Sequence, residues 1–131
     1  LAANTLLNNV TAEDIDNLNM LIQTIQNATE LDVHYRENAR FHKYLVTLSG
    51  NQRLVALYDQ LHAHVHVALV HVVAPGWWRD TQIEAGEHQA IVEAIRQKDT
   101  AVLNAAITAH LERSRRTLLQ QLEAQQERKR D

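Results

Sequence analysis

Residues 38–51 read NARFHKYLVTLSGN. Taken as a helix, the stretch places Asn38, Phe41, His42, Leu45 and Leu48 at i, i+3, i+4, i+7 and i+10, which is one face. The apolar spacing is helical rather than alternating, and the run stops at Ser49, Gly50 and Asn51, where glycine can take the left-handed conformation that closes a helix. An amide and an imidazole, one turn apart, therefore sit on a face that otherwise belongs to a core.

The helical reading extends in both directions from this stretch. Three glycines and one proline in 131 residues, with abundant Ala, Leu, Gln and Glu, predict helices throughout and no strand. NTLLNNV near the start reads as the end of one helix. Thr11 and Asp14 form a capping-box-like opening for a helix to about Ala28, with Ile15, Leu18, Ile22 and Ile25 on one face. The opening stretch belongs to a helix over about 31–48. A long helix from about Gln52 carries Leu54, Leu57, Leu61, Val65, Ala68 and Val72 until APGWW, another spans about Asp80 to Gln97, and Asp99 caps the last. The fold class expected is all-α, an antiparallel bundle of about six helices.

Composition bounds the function. One domain accounts for the length, and 45 % hydrophobic content is enough for one core. Without cysteine there is neither a disulfide nor a thiolate site, which agrees with a reducing cytoplasm. A net charge of −3 gives no general attraction to nucleic acid or an anionic membrane, and the longest apolar run is too short to span a bilayer. The expected setting is soluble and cytoplasmic, with no membrane. The chain begins at Leu1 and its single methionine, Met20, lies inside a periodic segment, so it is expected to be a fragment of a longer protein.

Two more histidines repeat the pattern of His42. His88 shares a face with Ile91, Val92 and Ile95, and His110 with Leu103, Ala106, Ile107 and Leu118. A single histidine of this kind is usually a core residue bonded to a neighbour. Three of them plus Asn38 are harder to satisfy, because each buried polar group without a partner costs roughly 1–3 kcal/mol and imidazoles serve one another poorly. A shared metal ion would satisfy all of them, with Asn38 and His42 stacked on one helix, single imidazoles from two others, and positions left for water or a ligand. Imidazole suits zinc, nickel, copper or iron, with zinc or nickel expected here.

These residues also carry a resemblance. NARFHKYLVTLSGN resembles the D/N-x-x-F-H-x-x-L…S-G-N signature of the FCD domain, the effector-binding C-terminal domain of the FadR subfamily of GntR transcription regulators. EHQAIVEAIRQKD is similar to that family's E-H-x-x-I-x-x-A-I-x-x-x-D segment, AHLER to its last-helix H-L element, and VTAEDIDNL to the start of its second helix. The matches run in the family's order over about 11–113. The resemblance implies that residues 1–131 form an FCD-type ligand-binding domain, with an N-terminal winged-helix DNA-binding domain and part of the first helix lying outside this chain. It implies a metal held by Asn38, His42, His88 and His110, where Asn38 replaces the Asp of many members and is a weaker, uncharged donor. It further implies DNA as a partner through the winged-helix domain, and a homodimer.

The FCD resemblance makes the long helix a source of basic effector contacts, so His62 and His66, which share a side, are secondary pocket candidates, as is His34 one turn before Asn38. His64 points elsewhere on that helix. The basic runs RSRR and ERKR read as solvated helix faces, and Trp77 and Trp78 as the cover of one bundle end or a subunit contact. The expected function is effector sensing: a divalent metal and a small carboxylate bind in the bundle and modulate DNA binding by the winged-helix domain. The anion preference follows from charge, because three imidazoles and an amide leave a divalent ion uncompensated. The alternative is a metal-dependent bundle enzyme. Against it, the chain has no H-E-x-x-H and no E-x-x-H, and Glu84 is the one nearby carboxylate that could act as a base.

Overall fold

The computed structural model describes the backbone of residues 2–70 and 78–131 and the side chains of residues 3–62 and 81–131. Expectations placed on His64, Val65, His66, Ala68, Val72, Trp77 and Trp78 lie outside the described side chains. Among the described residues there are six helices and no strand: α1 Ala2–Asn9, α2 Ala12–Gln26, α3 Leu31–Leu48, α4 Gln52–Val70, α5 Trp78–Arg96 and α6 Thr100–Arg130. No helix among them is long and apolar enough to cross a membrane.

The helix ends follow from local chemistry. At the start of α2 the Thr11 hydroxyl accepts from the Asp14 amide at 3.1 Å, and Asp14 accepts from the Thr11 amide at 2.9 Å, a complete capping box. Asp14 also accepts from the Tyr44 hydroxyl at 2.7 Å, so the cap of α2 is tied to α3. Asp99 caps α6 by accepting from the Val102 amide at 3.0 Å. Beyond α3, Gly50 has φ +70°, the left-handed geometry that only glycine adopts without steric cost.

Short connections let α2 and α3, α3 and α4, and α5 and α6 pack as antiparallel neighbours. α2 packs on α3 and α5, α5 on α6, α3 on α4, and α1 on α6 and α3. Their facing stripes bury Leu18, Ile22, Ile25, Phe41, Ile91, Val92, Ile95 and Leu103 in one core, each worth roughly 1.5–3 kcal/mol of transfer free energy. α4 departs from its expected stripe. Leu57 and Leu61 are 50 % and 54 % exposed. Among the described residues only α3 packs extensively on this helix, and one partner helix covers a narrower strip than a core surrounding it would.

Candidate metal centre

Three helices each bring one imidazole to a common point. His42 is in the second half of α3, His88 at the middle of α5 and His110 about three turns into α6. The same burial that places Phe41, Ile91 and Leu103 in the core carries these histidines with them. His88 is 0 % and His110 4 % exposed. Their ring centroids stand 4.8–5.3 Å apart. His42 Nε2 is 3.1 Å from His110 Nε2. One nitrogen from each of the three rings lies within 4.8 Å of the others.

The hydrogen-bond pattern decides which ring nitrogens are free. His110 Nδ1 lies 3.1 Å from Glu87 Oε1, and a carboxylate can only accept, so the His110 proton sits on Nδ1 and the Nε2 lone pair faces His42. Glu87 also accepts from Arg113 Nε. Carboxylate–imidazole pairs of this kind orient metal-binding histidines and fix their tautomer. Two ring nitrogens at 3.1 Å suit a shared proton or a shared cation. His88 favours the cation: both of its nitrogens are buried with no hydrogen-bond partner among the described residues, and so is Asn38 Oδ1. Nitrogens bound to one metal at about 2.0–2.1 Å stand roughly 3.0–3.4 Å apart, close to the His42–His110 separation. The donor set therefore fits a divalent metal ion.

Electrostatics keep His42 and His88 unprotonated. Burial, with the proximity of His110, pushes the His42 pKa down to about 4. Burial and the proximity of His42 push His88 down to about 3. Glu84 is different. Burial alone would raise it, but the hydrogen bond from His34 and the electrostatic interaction with the neighbouring imidazoles outweigh that and hold it below the usual carboxylate range. Glu84 Oε2 is 3.3 Å from His34 Nε2, and its Oε1 is 3.8 Å from His88 Nε2.

A cavity of about 390 Å³ opens onto the cluster, lined by Tyr35, Asn38, His42, Tyr58, His62, His110 and Ser114. Its size suits a small molecule. Burial pushes the Tyr35 and Tyr58 hydroxyls up to about 12, so both face the cavity as neutral phenols. A wider groove of about 840 Å³ between α2 and α3 holds none of the histidines. Of the residues singled out from the sequence, Asn38, His42, His62 and His110 line the smaller cavity, and His88 closes behind it. His34 is buried against Glu84 instead of lining that cavity. His66 lies outside the described side chains. The acceptors are less scarce than the sequence led us to expect. Glu87 and Arg113, which hold His110, gave no local signal, because their partnership links α5 to α6 across 26 residues.

With this geometry in view, the sequence profile of the FCD domain matches residues 1–113. The chain belongs to the FCD domain family. FCD domains are the non-enzymatic, effector-binding regulatory domains of GntR-type regulators, so the alternative of a bundle enzyme does not hold. Among solved structures, E. coli McbR/YncC is similar in fold, with a TM-score of 0.78 at 18 % identity over 92 % of this chain. The chain spans 61 % of that protein's length, and at this identity the likeness bears on the fold alone. No curated protein matches this FCD chain at a significant level.

Proposed function

We propose that this FCD domain senses a small carboxylate through a divalent metal, zinc or nickel, held by His42, His88 and His110 with Asn38 beside them. The observation that carries the reading is the pair of nitrogens on fully buried His88 that have no hydrogen-bond partner among the described residues, next to two imidazole nitrogens 3.1 Å apart. When bound, the ion supplies a Lewis-acid position for a carboxylate oxygen. The protein does the rest. Glu87 holds the His110 tautomer, His62 and the Tyr35 and Tyr58 hydroxyls meet the remaining polar groups of the effector, and Leu61 and Leu111 cover its carbon frame.

In the whole regulator, a winged-helix domain preceding this chain reads DNA in the cytoplasm, and a homodimer presents two such domains to paired half-sites. Effector binding shifts the helices that carry its ligands and thereby the spacing of those domains. The test is calorimetric titration of metabolite mono- and dicarboxylates against metal-loaded and chelated protein. A carboxylate that binds only the loaded form is the expected result. An uncharged best ligand, or equal binding after chelation, rejects the mechanism.

A further inference from the structure

The three histidines and Asn38 are uncharged donors, yet a divalent ion among them is buried in an apolar bundle. Bringing a +2 charge into such surroundings is costly unless anionic groups lie near it. Among the described residues two carboxylates approach the cluster. Glu87 touches only the outer nitrogen of His110 and is already paired with the Arg113 guanidinium. Among the described residues Glu84 has no guanidinium or ammonium partner; its ion-pair contacts are with His34 and His88. It sits one turn before His88 on α5, its side chain is only 14 % exposed, and Oε1 is 3.8 Å from His88 Nε2. His34 from α3 holds the other oxygen at 3.3 Å. Its field reaches all three imidazoles of the cluster.

We propose that Glu84, positioned by His34, is the anionic group that compensates the metal in this domain, the role an uncharged Asn38 cannot fill. The inference rests on the metal-binding reading above. It gives His34 a task that the effector cavity does not: an imidazole N–H donated to Glu84 aims the carboxylate at His88. It also makes Glu84 a positioning and charge-balancing residue with no part in bond chemistry.

The experiment is titration of metal-free protein with Zn²⁺ against a chromophoric chelator, for wild type, Glu84→Gln, Asn38→Asp and the double variant. Glutamine keeps an acceptor for His34 and removes only the charge. Glu84→Gln is expected to weaken zinc binding at least tenfold, and adding Asn38→Asp to it should recover most of the loss. In the wild-type background Asn38→Asp should gain less than tenfold, since a carboxylate is already present. Zinc bound by wild type, with Glu84→Gln within twofold of it, overturns this inference and leaves the metal site standing. Wild type that binds no zinc overturns both. A gain of a hundredfold or more from Asn38→Asp alone shows that the native ion lacks a carboxylate, and overturns the inference even if Glu84→Gln fails to fold.

Discussion

His88 has both ring nitrogens in the core without a hydrogen-bond partner among the described residues, a state that stabilises nothing unless something binds there. This argues for opposite effects of one substitution. His88→Leu fills a similar volume and removes two unsatisfied polar atoms, so metal-free protein should become more stable by about 1–2 kcal/mol. The same variant should lose stoichiometric metal, and with it the rise in melting temperature that Zn²⁺ gives wild type. Chemical denaturation and elemental analysis check both halves; a variant that destabilises the metal-free form contradicts the account. The depressed pKa values of His42 and His88, about 4 and about 3, add a pH dependence. Unfolding restores ordinary imidazoles near pH 6.5, so between the folded and unfolded values the unfolded chain binds more protons. Stability of the metal-free domain is therefore full above about pH 6.5 and falls as pH drops toward 4, by about 2 kcal/mol per histidine at pH 5. Urea midpoints at pH 7, 6 and 5 should decline, and His88→Leu should flatten the decline; parallel curves for the two proteins would count against it.

At the scale of the helix, the positive φ angles give a matched pair of expectations. Gly50 at φ +70° closes α3, and a Cβ there would meet only ordinary contacts with Asn9 and Thr5, so the cost of Gly50→Ala is backbone strain alone, about 1–2 kcal/mol. Lys98 takes φ 56° between α5 and α6, a place that glycine fits better. Lys98→Gly should stabilise by about 0.5–1 kcal/mol, the unfolded chain's greater freedom offsetting part of the relief. Thermal melts of both variants test the sign; two shifts in the same direction would falsify this reading of the turns. Helix boundaries were legible in the sequence wherever such signals are local. Thr11 with Asp14, Gly50 and Asp99 all act within three or four residues of themselves. The burial of α4 was not legible, because Leu57 and Leu61 have apolar side chains at helical spacing whichever face their neighbours cover.

For the whole molecule, Leu57, Leu61 and Leu111 expose apolar side chains on α4 and α6, the kind of surface a partner subunit can cover. As part of the proposed regulator, the domain should sediment as a dimer of about twice 15.0 kDa, with Leu57→Glu shifting it toward monomer. Sedimentation equilibrium showing only 15.0 kDa species at high concentration would remove dimerisation from the proposal. The effector prediction belongs to this scale too, since the cavity exists only where α3, α4 and α6 meet: Tyr35 and Asn38, Tyr58 and His62, and His110 and Ser114 come from three separate helices.

From the sequence alone came the all-α class, the caps, the apolar faces and the odd presence of Asn38, His42, His88 and His110 on them, because periodicity and capping are properties of a few consecutive residues. Family motifs are legible for the same reason. Tertiary structure decided the rest. That His42 and His110 meet at 3.1 Å, that Glu87 holds one of them, and that His34 faces Glu84 instead of the cavity, all depend on how far each helix slides and turns against its neighbours. That register is set by the packing of Phe41, Ile91, Ile95 and Leu103 in one shared core, a sum over residues distant in sequence that no single stretch contains.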